Sequence, residues 1–86
     1  MPRVSAFYGI VIWMYPDDHP PPHFHATYGE HEALIRIVDG SIYAGSLPRR
    51  ALRLVRTWRA LHMDELHQAW NRAAARQATG TIEPLP

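Results

Sequence analysis

Cysteine and lysine are both missing from this sequence. Without cysteine there is no disulfide staple and no thiolate metal site, so histidine and carboxylate are the only strong ligand types left. An unstapled chain this small suits a cytoplasm, and a cytoplasmic protein is the expectation. Without lysine, all nine basic residues are arginine. Genomic base composition would account for the absence of lysine but not for the clustering of the arginines. The hydrophobic run that starts at Phe7 is interrupted by Gly9, and no small-residue cleavage site follows it. Neither a signal peptide nor a membrane span is expected. A net charge of +1 gives no bulk argument for a polyanion partner. Eighty-six residues suffice for one domain, 1–86, with a modest core.

What is present is concentrated. His19-Pro20-Pro21-Pro22-His23-Phe24-His25 gathers three of the six histidines into seven residues. Proline fixes φ and pushes its predecessor out of the α region, so this stretch should be extended as it enters a strand. Residues 7–15, apolar on both faces and rich in β-branched and aromatic types, read as a first strand. Residues 23–28 alternate at period two and form a second strand with unlike faces. Gly29-Glu30 turns into a third strand, 31–38, and Asp39-Gly40, a type I′ signal, turns into a fourth, 41–45. From Pro48 the period changes to that of a helix, and a helical region over 48–77 follows. Its apolar stripe of Ala51, Leu54, Val55, Trp58, Leu61 and His62 continues, rotated by about 50°, through Leu66, Ala69, Trp70 and Ala73. That drift predicts a kink or restart near His62 to Asp64, with Asp64 as a cap. Residues 79–86 read as a tail. The predicted fold class is α+β: a four-strand antiparallel meander with a long, kinked C-terminal helical region packed on one face.

A two-residue loop at Gly29-Glu30 would place Tyr28 opposite His31, Ala26 opposite Ala33 and Phe24 opposite Ile35 on an apolar face. Ile37 with Ile42 and Ile35 with Ala44 would extend that face. The other face receives His23, His25, Thr27, Glu32, Arg36 and Tyr43, with His23 opposite Arg36 and His25 diagonal to Glu32. The expectation is that the helical cover leaves this side open. Three readings of the set stand side by side. The histidines could cover the sheet and bond Glu32, Tyr43 or the backbone. They could bind a divalent metal such as zinc through His19, His23 and His25, an aspartate of Asp17-Asp18 being the alternative third ligand. Or they could act without metal, one imidazole taking a proton and the other giving one, with Glu32 in support and Arg36 stabilising phosphoryl charge. His31 and His62 read as rim or packing residues, Trp58 and Trp70 as core anchors.

Arg49, Arg50, Arg53, Arg56 and Arg59 fall within eleven residues. Arg49, Arg53 and Arg56 point within about 60° of one another on the helix, opposite the apolar stripe, with Arg50 and Arg59 at the edges. Positive charge in the first turn opposes the helix dipole, and guanidinium forks well onto carboxylate or phosphate. This face suits an acidic partner protein or a nucleic-acid backbone. An exposed sheet edge and Trp13 leave room for a homo-oligomer.

Taken together, FYGIVIWMY, DHPPPHFHA, YGEHEA, the Asp39-Gly40 turn, GSLPRRALRLV, WRALH and ELHQAW resemble the small bacterial family catalogued as domain of unknown function 4160. The resemblance runs from about Ser5 to Glu83. One departure is Pro20, where the family's commoner form has a different residue before two prolines. The resemblance implies a cytoplasmic member of a two-gene, toxin-antitoxin-like module, with a small protein partner and nucleic-acid contact. It assigns no residue a catalytic role. The leading expectation is therefore an interaction module. Its rival is a small phosphodiesterase or ribonuclease using His23, His25, Glu32 and Arg36, metal-assisted or metal-free.

Overall fold

A computed structural model describes residues 3–86. Five antiparallel strands follow one another as a meander: β1 (Arg3–Phe7), β2 (Ile10–Trp13), β3 (His23–Tyr28), β4 (His31–Arg36) and β5 (Ile42–Gly45). Two helices, α1 (Arg49–Leu61) and α2 (Met63–Ala74), complete the α+β fold. The stretch expected as one strand over 7–15 is thus two. Tyr8 and Gly9 both have positive φ, 50° and 81°, which is the geometry of a two-residue hairpin turn matched to strand twist. Tyrosine is an unusual first residue for such a turn, so the apolar run concealed it.

The hairpin of β3 and β4 has the expected register, with His23 opposite Arg36, Phe24 opposite Ile35, Ala26 opposite Ala33, Thr27 opposite Glu32 and Tyr28 opposite His31. The next hairpin does not. β4 stops at Arg36, and Ile35 pairs with Ile42 and Leu34 with Ala44, across a bulge. Instead of two residues the connection takes Ile37 to Ser41, closed by Arg36 N–H donating to the Ser41 carbonyl at 2.9 Å and Gly40 N–H to the Arg36 carbonyl at 3.0 Å. Asp39 Oδ1 accepts from both the Ser41 amide, 2.9 Å, and its hydroxyl, 2.7 Å, a side-chain turn that competes with the tight hairpin.

The apolar face of the sheet, Phe7, Ile10, Ile12, Met14, Phe24, Ala26, Ala33 and Ile35, is buried with Ala51, Val55 and Trp58 of α1 and Leu66 and Ala69 of α2. Trp58 is the anchor, its ring 5.3 Å from that of Phe7 and 5.8 Å from that of Phe24. The helical region breaks at His62 (φ −131°), as the drifting stripe requires. The cap differs from expectation: His62, not Asp64, occupies it, and Asp64 and Glu65 lie in the first turn of α2, where negative charge suits the helix dipole. His62 closes the break, its ring 5.7 Å from Trp58 and its Nδ1 2.6 Å from Glu65 Oε1.

Residues 79–86 are docked rather than a free tail. Ile82 is buried and its N–H donates to the Val4 carbonyl at 2.8 Å, Trp58 Nε1–H donates to the Glu83 carbonyl at 2.8 Å, and the Tyr8 hydroxyl to the Pro86 carbonyl at 2.6 Å. The polar edge of the core tryptophan thereby finds its acceptor. No described helix is long and apolar enough to cross a membrane.

Candidate functional site

His23 and His25 begin β3 and, being two residues apart, leave the same face of the sheet, with ring centroids 5.5 Å apart. Phe24 between them points into the core. The loop before β3 folds back so that Asp18 reaches both rings: its Oδ2 is 2.9 Å from His25 Nε2 and 3.4 Å from His23 Nε2. One donor atom from each of Asp18, His23 and His25 lies within 4.8 Å of the others. Asp18 takes the place expected for His19, which is exposed and outside this group. Successive residues of an extended loop diverge, so the inward turn of Asp18 leaves its neighbour facing solvent.

The outer side of each ring is held as well. His23 Nδ1 is 2.8 Å from the Pro21 carbonyl, and His25 Nδ1 is 3.1 Å from Glu32 Oε2, the diagonal partner expected from the register. Trp13, on the same face, donates from Nε1 to Thr27 Oγ1 at 2.9 Å, which gives it a place within the sheet.

This side of the sheet is less open than expected. His23 is only 2 % exposed, because Trp70 of α2 and Tyr43 of β5 lie against it with ring centroids at 5.3 and 5.2 Å. Trp70 therefore serves the histidines as well as the core margin. No local pattern could have placed it here. Tyr15 covers His25 edge-on at 4.5 Å. Its phenol is pushed above the usual tyrosine range by burial and by the negative charges of Glu32 and Asp18. At neutral pH it is a wall of the site and a hydroxyl, not a charge.

Arg36 sits opposite His23 in register but spends its guanidinium elsewhere: Nη1 donates to Ser41 Oγ at 3.0 Å, and the group lies 5.1 Å from the Tyr43 ring centroid. It props the β4–β5 connection. Of the expected catalytic set, His23, His25 and Glu32 are brought together.

The arginine face is divided. Arg56 Nε donates to the Gly40 carbonyl at 2.9 Å and Arg59 Nη1 to the Ile37 carbonyl at 2.7 Å, so both tie α1 to the β4–β5 connection. Arg49, Arg50 and Arg53 are exposed, and among the described residues none of their guanidinium groups makes a salt bridge or hydrogen bond, although the Arg53 carbonyl accepts from the Thr57 hydroxyl at 3.0 Å. The first turn of α1 carries no acid and no side-chain cap. Arg50 flanks a small cleft with Tyr8, Tyr28 and Pro48, at the end of β3 opposite to His23.

No curated protein and no solved structure matches this chain. A family model matches residues 9–71, which includes the histidine segment, both hairpins that follow it and most of the helical region. The chain belongs to the family described as Domain of unknown function (DUF4160).

Proposed function

We propose that this protein is an interaction module whose exposed arginines, Arg49, Arg50 and Arg53, dock the acidic surface of a small partner protein in a toxin-antitoxin-like pair. The observation that carries the reading is a division of labour. Arg56 and Arg59 are used within the fold, whereas, among the described residues, the guanidinium groups of the other three have no partner on the first turns of one helix, against the helix dipole and without an acid in that turn. Such an arrangement gains nothing for stability and is suited to a partner that brings the missing charge. The test is a binding titration of the adjacent gene's product, with RNA and duplex DNA as competing polyanions. Replacing Arg49, Arg50 and Arg53 by glutamine should weaken binding at least tenfold and flatten its salt dependence. Unchanged binding and salt slope would reject the reading. Tight RNA binding whose slope falls by about 2 to 3 in the variant would replace the partner protein with nucleic acid.

A second reading is favoured by the convergence of His23, His25, Asp18 and Glu32: a small phosphodiesterase or ribonuclease, metal-assisted or metal-free. One imidazole would remove the proton of an attacking hydroxyl and the other would protonate the leaving oxygen. RNA cleavage by wild type, with and without chelator, and its loss in His23→Ala/His25→Ala would support it. Equal cleavage by the double variant would rule it out.

A further inference from the structure

Counting hydrogens at the histidine corner leaves two contacts without one. His23 Nδ1 faces a carbonyl, Pro21 O at 2.8 Å, which can only accept, so the ring hydrogen belongs on Nδ1. In the neutral ring Nε2 is then a bare lone pair. That atom is buried, has no hydrogen-bond partner, and has Asp18 Oδ2, another acceptor, 3.4 Å away. His25 is in the same position: Nδ1 faces Glu32 Oε2 at 3.1 Å and Nε2 faces Asp18 Oδ2 at 2.9 Å, yet a neutral imidazole carries one N–H. With both rings neutral, four contacts share two hydrogens; when His25, like His23, carries its hydrogen on Nδ1, the two bare lone pairs are Nε2 atoms that point at the same carboxylate oxygen. A buried acceptor left facing acceptors is costly.

One divalent cation would resolve both shortfalls together. It would take the Nε2 lone pairs of His23 and His25 and Oδ2 of Asp18, leaving each ring hydrogen on Nδ1 for Pro21 O and Glu32. Histidines that bind metal ordinarily donate their other nitrogen to a carbonyl or carboxylate in this way, which fixes tautomer and orientation. Here one ring has each kind of acceptor. Donor atoms about 2.1 Å from a tetrahedral ion lie roughly 3.4 Å apart, so a set already within 4.8 Å needs only small side-chain adjustments. Trp70 and Tyr43 against His23, and Tyr15 against His25, supply an apolar surround for the two rings.

We infer that Asp18, His23 and His25 form a binding site for a divalent transition metal of the zinc class, with Glu32 as the carboxylate that positions His25. Two nitrogens and one carboxylate oxygen favour zinc, cobalt or nickel over magnesium or calcium, which take oxygen donors. Three protein ligands leave a position for water or substrate, as in sites that do chemistry rather than closed structural ones. The site lies away from Arg49, Arg50 and Arg53, so it stands or falls independently of the docking surface. It also divides the hydrolytic reading into metal-assisted and metal-free forms.

The test is titration of the chelator-stripped full chain with zinc by calorimetry and with cobalt by visible absorption, magnesium serving as control. Wild type should bind one zinc ion per chain, and cobalt should develop visible bands of nitrogen and oxygen ligation. Asp18→Asn should lose about a hundredfold in affinity and Glu32→Gln about tenfold, while His19→Ala should match wild type. Should His23→Ala fail to fold, Asp18→Asn, on a partly exposed loop residue, gives the decision with circular dichroism as the folding check. No stoichiometric zinc binding by wild type, or binding that survives Asp18→Asn but not His19→Ala, would overturn the inference. Zinc binding without partner or RNA binding would leave it standing and remove the docking proposal. RNA cleavage by a chain that binds no metal would overturn it and establish the metal-free chemistry.

Discussion

Two dense clusters, three histidines in seven residues and five arginines in eleven, have opposite fates in this fold. At the histidine corner, groups from the loop, β3, β4, β5 and α2 converge on two rings, and the tightest of them is 2 % exposed. On the arginine face, five like side chains from one helix diverge, two toward carbonyls of the β4–β5 connection and three into solvent. Five like-charged side chains spread over about three turns of one helix fan outward from a common axis, whereas groups brought in from several elements can close on one point. In this fold the small preorganised site is assembled from several elements, and the arginine helix presents a surface.

The largest expected effect lies behind the corner. Gly45 (φ +77°) runs so close to β4 that a β-carbon there would stand 2.1 Å from the Glu32 carbonyl oxygen. Gly45→Ala should therefore cost about 3 kcal/mol in urea unfolding and displace the strand that holds Glu32 against His25. Next comes His23→Ala, which empties the space between Tyr43 and Trp70 and should cost about 2 kcal/mol in the metal-free protein. Arg59→Met keeps the aliphatic stem but loses the bond to the Ile37 carbonyl, so a loss of about 1 kcal/mol is expected. Replacing Arg49, Arg50 and Arg53 should change stability by about 0.5 kcal/mol or less per site. If these three cost as much as Arg59→Met, they belong to the fold and the contrast between the two clusters collapses.

A smaller, pH-dependent effect separates the scaffold from the corner. Asp39 is held below its ordinary pKa of 3.8 chiefly by the Ser41 amide and hydroxyl, with Arg36 and Arg59 adding positive charge. A carboxyl depressed in the folded state stabilises above its unfolded pKa, and that contribution is lost as pH falls through and below about 4. Unfolding followed from pH 6 to pH 3 should show a steeper acid loss for wild type than for Asp39→Asn. Equal slopes would mean that the Asp39 turn does not tie down the connection.

Much of the frame was legible because it is written in neighbouring residues. The two-residue loop at Gly29-Glu30 sets a register in which His23, His25 and Glu32 must share a face. The rotation of the apolar stripe likewise forces a break near His62. Where two local signals competed, the reading failed: Tyr8-Gly9 is a turn inside an apolar run, and Asp39-Gly40 sits in a longer connection held by an aspartate side chain. Asp18 and His19 are adjacent, and composition alone could not choose between them.

Strand alternation and helical period are properties of consecutive residues, and they suffice to put His23, His25 and Glu32 on one face and the arginines along one side of a helix. Packing of the whole chain is what makes Asp18 close the corner and Trp70 cover it, spends Arg56 and Arg59 on the β4–β5 connection, and brings an acceptor from residues 79–86 to Trp58. Apart from the Asp18 contact, which reaches back seven residues from His25, each of these joins segments far apart in the chain. Which partner such a group finds depends on how the helices lie on the sheet, a property of the whole packed core rather than of any local pattern.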